Sequence, residues 1–188
     1  MADTVDTPTA ILASAAVALR DRTFDDISYR SLGDAVGVSE RTVYRQFPTR
    51  SHLLEGLAGW IEATEFPLPA FVTIPQFQVA ARDRFHAFDA APAFAFVCAR
   101  AASISPTGEA EPSFLTRTIE GMLQAANPRL NARDLQRATA ALLYFASAQF
   151  WARMRTSFDM DASETSDVFD RTVERALAAL PAMSPAGG

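Results

Sequence analysis

Arg41, Thr42, Tyr44 and Arg45 fall within one short run, and together they carry the chemistry needed to read a polar, anionic surface. An arginine fork donates two hydrogen bonds to guanine O6 and N7, and a threonine hydroxyl reaches a base edge or a phosphate. A tyrosine hydroxyl and a further arginine suit phosphate oxygens. Arg50 supplies that arginine after Pro48 and Thr49, where a helix should begin, and Ser28 supplies a hydroxyl ahead of another helix start. Exposed amides at such starts reinforce anion binding. Glu40 works against phosphate, although it can accept from a cytosine amino group or stabilise the helix start it occupies.

The surrounding residues are those a tight helical reader requires. Gly37 stands between two short helical patterns, where the chain must turn sharply and a residue tolerant of positive φ is least strained. Gly33 leaves room for two helices to cross closely, with Leu32, Ala35 and Val36 as the expected buried face of the first. Ser39 is an N-cap candidate, and Val43 and Phe47 recur at helical spacing. Arg41, Thr42, Tyr44 and Arg45 are then left facing outward. A plainer reading makes the same run a packed helical hairpin, with Arg41 and Arg45 solvated and Tyr44 against the core. Capped turn, small residue, outward set and following Pro-x-Arg in a single register favour the helix-turn-helix reader.

The pattern Leu32-Gly33-x-x-Val36-Gly37-Val38-Ser39-x-x-Thr42-Val43-Tyr44-Arg45-x-Phe47-Pro48-x-Arg50-x-x-Leu53-Leu54 resembles the TetR/AcrR family of bacterial transcriptional regulators. Gly33 stands where Ala is common in that family and Arg50 where Lys is usual, each keeping the small size or the positive charge. The resemblance implies a DNA-binding site formed by Ser28, Ser39, Glu40, Arg41, Thr42, Tyr44, Arg45 and Arg50. It also implies a ligand-responsive homodimeric repressor that binds a near-palindromic double-stranded DNA operator, with the last two long helices of each subunit forming a four-helix interface.

Charge narrows how such a protein binds. The chain of 188 residues has a formal net charge of -5, and its 17 basic side chains are all arginine. Within residues 1–52, six arginines face seven acidic residues. Nonspecific DNA affinity rests on phosphate neutralisation, so this balance argues against an indiscriminate binder and for a few local contacts. One cysteine, Cys98, excludes an internal disulfide, and with only His52 and His86 there is no credible zinc set and no metal or cofactor is expected. Cys98 lies in an apolar stretch and reads as an inert core thiol. No spacing around His86, Cys98 or Arg100 specifies a reaction, so an enzyme is disfavoured. No apolar run is long enough to span a bilayer and the N-terminus is acidic and polar, which leads to a cytoplasmic expectation.

The whole chain reads as all-α, with about nine helices. Residues 1–52 are expected to form a three-helix DNA-binding domain, and residues 53–188 a helical ligand-binding and dimerisation domain, with a linking helix over about 49–65. Thr7 with Pro8 is the expected start of the first helix, and Ile11, Leu12, Ala15, Ala16 and Leu19 its inward face. Phe66-Pro67-Leu68-Pro69 ends the linking helix and places the lobe boundary in 66–75. Helices are then expected from Pro75, with Phe77, Ala81, Phe85 and Phe88 on one face, and from 92 to 103. A loop over Ser105–Pro112, a helix marked by Leu115, Ile119, Met122 and Leu123, one long helix from Asn131 to about Ser157, and a last helix over Ser163–Leu180 complete the reading. Pro181 and the closing glycines make a fraying tail.

The second lobe is rich in aromatic residues. Most build core, but a helical lobe can enclose an apolar pocket with a few polar anchors. Phe85, Phe88, Phe96, Arg100, Phe114, Tyr144 and Gln149 are the candidate lining for a small apolar or aromatic effector. Leu142, Phe145, Phe150, Trp151, Phe169, Val173 and Leu177 offer more apolar surface than a short terminal hairpin needs, and are the candidate dimer interface. The alternative is a helical protein-interaction module, or a regulator without a small-molecule effector.

Overall fold

A computed structural model describes residues 6–103 and 114–180. Among them every long regular element is a helix: α1 (Thr7–Ala18), α2 (Tyr29–Val36), α3 (Glu40–Gln46), α4 (Arg50–Thr64), α5 (Ile74–Ala90), α6 (Pro92–Ala101), α7 (Phe114–Ala126), α8 (Ala132–Phe145), α9 (Ala148–Phe158) and α10 (Ala162–Ala178). A 3-10 turn, Phe24–Asp26, separates α1 from α2. The loop expected over Ser105–Pro112 and the tail from Pro181 lie outside the described residues.

The chain divides into two compact units. The first holds described residues 6–67 and 90–103, the second 68–89 and 114–180. The first crossing falls within the expected 66–75, but the first unit reaches past residue 52: it keeps all of α4 and also takes α6.

In the first unit, α1 starts one residue earlier than the expected cap, because Asp6 and not Thr7 accepts from the Thr9 amide, at 3.3 Å. A carboxylate at the N-cap also meets the positive end of the helix dipole. Pro8 then sits in the first turn, where its missing N–H breaks no hydrogen bond. Ile11, Ala15, Ala16 and Leu19 are buried beside Leu53, Leu57 and Ile61 of α4, in a unit where α4 packs on both α1 and α6. From α6, Phe94, Val97 and Cys98 are buried, and the Cys98 Sγ points at the Ala58 carbonyl at 3.8 Å. That thiol is core, as its apolar context suggests.

In the second unit, α5 buries Phe77, Ala81, Phe85 and Phe88 along one face. Their rings interlock with α9 and α10: Phe85 meets Phe150 at 6.1 Å and Phe169 at 5.5 Å, and Phe88 meets Trp151 at 5.6 Å between centroids. Asp89 ties the same three helices by polar bonds. It accepts from Trp151 Nε1 at 2.8 Å and from the Ala162 amide, at the start of α10, at 2.7 Å. Asp170 on α10 answers from the other side, pairing with Arg82 at 2.8 Å and accepting from Gln78 at 3.0 Å.

One expectation fails here, and the candidate dimer residues are placed. The single helix from Asn131 to Ser157 is broken into α8 and α9. Ser147 donates to the Tyr144 carbonyl at 2.6 Å and accepts from the Phe150 amide at 3.2 Å, ending one helix and capping the next. This raises the count to ten helices among the described residues. The candidate dimer set is also largely used inside the unit: Leu142, Phe150, Trp151, Phe169 and Val173 are buried within the single chain. Only Phe145 and Leu177 remain partly open. The interlocked rings of α5, α9 and α10 absorb the apolar surplus that the sequence placed at an interface.

Candidate nucleic-acid interface

The reader is assembled by three hydroxyl caps and one left-handed glycine. Ser28 accepts from the Ser31 amide at 3.1 Å and starts α2. Gly37 ends it at φ 73°, and the Val38 amide then reaches the Gly33 carbonyl at 2.9 Å, closing the turn. Ser39 starts α3, accepting from the Thr42 amide at 3.1 Å and sharing a hydrogen bond with the Thr42 hydroxyl at 2.9 Å. Thr49 caps α4 through the His52 amide at 3.3 Å. Gly33 lies against the backbone of this turn: a Cβ there would stand 2.7 Å from the Val38 carbonyl oxygen. The crossing of α2 and α3 is therefore as close as the sequence suggested, although Ala35, expected in the buried face, is exposed and Val36 only half-buried.

This frame divides the expected site residues by what holds them. Val43 and Phe47 anchor α3 inward, and Arg41, Tyr44 and Arg45 are exposed on it. Arg41 and Arg45 have no hydrogen bond or ion pair among the described residues, so both forks are available to an external acceptor. The Tyr44 ring is half-exposed and packs edge-on against Tyr29, with centroids 4.4 Å apart, which fixes its direction while leaving the outer edge open. Thr42 is half-buried and tied to Ser39. Glu40 is exposed in the first turn of α3, where its charge suits the helix dipole. Ser28 and Ser39 use their hydroxyls as caps.

Arg50 is held by partners within the unit. Its Nη1 donates to the Ile27 carbonyl at 2.6 Å, its Nη2 donates to the Phe24 carbonyl, and the guanidinium stacks 4.2 Å over the Phe24 ring. The group that was expected to face phosphate clamps the turn that precedes α2. A Lys could not make that fork, because an ammonium is a point donor without a planar face.

Two participants escaped the sequence reading. Tyr29 is buried, its hydroxyl has no hydrogen-bond partner among the described residues, and burial pushes the phenol above its ordinary value, partly opposed by Arg50. It lies in a cleft of about 320 Å³ that also takes in Ser28, Glu40, Tyr44, Thr49 and Arg50. Arg30 stands exposed on α2 without a protein partner among the described residues. Only the outward register of Arg30 could have marked it, and nothing in the order of residues brings Tyr29 against Tyr44.

The candidate effector residues fall in both units. Phe85 and Phe88 are fully buried in the ring cluster of the second unit, Phe114 is 79% exposed and Tyr144 49% exposed. Gln149 is half-buried, while Phe96 and Arg100 belong to the first unit on α6. Among the described residues no group of three metal-ligating side chains converges, and no helix is long and apolar enough to cross a membrane.

Comparison with known proteins agrees with this geometry. Residues 11–57, from α1 into α4, match the model of bacterial regulatory proteins of the tetR family. No curated protein matches the chain. Among solved structures, a TetR transcriptional regulator from Rhodococcus sp. RHA1 aligns with a TM-score of 0.67 over 94% of this chain and 99% of that one, at 13% identity, which speaks for a shared fold. With the helix-turn-helix built as described and the family match lying across it, residues 11–57 are similar to the DNA-binding segment of bacterial regulatory proteins of the tetR family, and that match supports a DNA-binding transcriptional regulator.

Proposed function

We propose that the protein is a homodimeric repressor that binds a near-palindromic operator through α3 and is released by a small apolar or aromatic effector. The observation that carries the reading is the pair of unpartnered, outward forks of Arg41 and Arg45 on a short helix held at both ends by its caps. A helix of this size fits the major groove, and an arginine there is the commonest reader of guanine. Tyr44, braced by Tyr29, supplies a phosphate contact beside them. Arg50 acts as a positioning residue for this surface. Two copies of the reader spaced by about 34–36 Å or a multiple would meet successive groove faces, and this spacing is the reason to expect a two-fold operator.

Release requires that the effector bind the DNA-incompetent state more tightly, and a difference of about 1–3 kcal/mol is the usual scale of such coupling. The buried positions of Leu142, Phe150, Trp151, Phe169 and Val173 move the proposed dimer contact to the outer faces of the last helices, where Phe145 and Leu177 are still partly open. A mobility shift on the DNA upstream of the protein's own gene tests the reading. Arg41→Ala and Arg45→Ala should each weaken operator binding by on the order of tenfold or more. Unchanged affinity in both variants overturns the assignment of α3.

A further inference from the structure

A second cleft in the first unit, of about 280 Å³, is lined by Leu19 at the end of α1, Arg22 and Phe24 of the following turn, and Phe96, Val97 and Arg100 of α6. Leu19, Phe24 and Val97 are nearly fully buried and form an apolar floor, and Phe96 stands 39% exposed. Charge is confined to the two arginines. Arg22 is exposed and has no ion pair or hydrogen bond among the described residues. Arg100 lies 5.6 Å over the Phe24 ring and donates through Nη1 alone to Asp25, at 2.9 Å, so its other donors remain.

An apolar floor under two guanidinium groups is complementary to an organic molecule with a flat or branched hydrocarbon body and one carboxylate. The volume lies near the lower end of small-ligand sites, which limits the body to one or two rings. A carboxylate takes an arginine fork in two parallel hydrogen bonds, and this specificity is absent for a neutral analogue. Asp25 is the internal rival for Arg100, and the exposed Asp21 and Asp26 repel an anion from the rim. Affinity is therefore set by how far the ligand replaces Asp25. Phe24 lines the cleft with its ring and holds Arg50 with its carbonyl. The same turn thus connects the cleft to the start of α2 and of α4.

We propose that this cleft is a binding site for a small aromatic or branched aliphatic carboxylate, which reaches the reader by displacing Asp25 from Arg100. Its regulatory role rests on the effector-released reading above; its existence as a site does not.

Calorimetric titration of the full chain, free of DNA, with 2-naphthoate tests the site. Saturable binding at one molecule per chain is expected. Arg22→Gln and Arg100→Gln should each weaken it by roughly tenfold, and neutral 2-naphthalenemethanol should bind more weakly than the acid by a similar factor. Asp25→Asn should strengthen it, since the competing carboxylate is gone. Hydrogen-exchange protection by 2-naphthoate should concentrate in residues 19–26 and 93–100, a readout that needs no variant to fold. Absence of saturable binding, equal affinity for acid and alcohol, or indifference to the arginine variants overturns the site. Operator affinity measured with and without 2-naphthoate then separates the two claims: binding with the expected pattern but no change on DNA leaves the site standing and overturns its regulatory role.

Discussion

Arg50 offers the sharpest separation between a residue that builds the reader and one that touches DNA. Replacing it with Met removes two charge-assisted hydrogen bonds to the Phe24 and Ile27 carbonyls and the stacking on the Phe24 ring. Hydrogen bonds to charged groups contribute about 1.5–3 kcal/mol each where buried, and an exposed cation–π contact about 0.5–1 kcal/mol. The guanidinium is half-buried, so water can reach the freed carbonyls and the lower ends apply. The expected loss is on the order of 3 kcal/mol for Arg50→Met, and about half that for Arg50→Lys, which keeps the charge and one donor direction. In a chain of this size that corresponds to a fall in Tm of roughly 6–12 °C for Met. Melting by circular dichroism gives the stability, and hydrogen exchange over residues 24–30 localises it to the clamped turn. Titration of operator DNA at several salt concentrations, well below the melting transition, gives the number of phosphate contacts. Each such contact contributes about 0.9 to the slope of log affinity against log salt. The slope should be unchanged in Arg50→Met, which removes the charge that a phosphate contact would need. A slope smaller by about one with no loss of stability refutes the clamp and returns Arg50 to the phosphate set.

Gly33→Ala gains about 1 kcal/mol of helix propensity but sets a Cβ 2.7 Å from the Val38 carbonyl oxygen, and overpacking of about 1–3 kcal/mol makes the net effect destabilising. Gly37→Ala meets no atom but is strained at φ 73°, so Gly37→Asn should be the milder change; denaturant titration orders the three. Asp89→Ala removes the carboxylate that accepts from the Trp151 indole N–H and the Ala162 amide, a loss of about 2–4 kcal/mol visible in urea unfolding followed by Trp fluorescence. Acid addresses the Asp25–Arg100 pair: Arg100 holds the Asp25 carboxyl below its ordinary value of 3.8. A depressed folded-state value means that the pair's stabilisation is complete above the unfolded value and is lost as the pH falls through the folded one. The difference in Tm between the wild type and Asp25→Asn should therefore shrink to nothing on acidification below the ordinary aspartate range, and a difference that persists there contradicts the pairing.

What could be read in the residues was local. Ser28, Ser39 and Asn131 each cap a helix by reaching three residues ahead, and Gly37 takes the left-handed turn that its place between two apolar patterns requires. Such features depend on side chain and near neighbour alone. Asp6 displaced Thr7 as a cap because two competent residues stand side by side and the carboxylate gains from the helix dipole. The break at Ser147 carries no proline or glycine, only a serine whose hydroxyl serves two helices at once. Long-range pairings left even less trace. The acceptors of Arg50 are backbone carbonyls, which have no residue signature, and α6 joined the first unit because Phe94, Val97 and Cys98 are buried there. Amphipathic spacing marked Phe150, Trp151, Phe169 and Val173 as needing cover without saying that α5 would provide it through Phe77, Phe85 and Phe88.

A locally basic face on an acidic chain should read DNA selectively. Fluorescence anisotropy with the native upstream fragment and a base-composition-matched scramble, each at low and moderate salt, tests it most directly. The native fragment should bind far more tightly than the scramble, by a factor on the order of a thousand or more that persists as salt rises, with a symmetric two-half-site footprint. Equal affinity for both fragments, or a preference that vanishes at moderate salt, would contradict it.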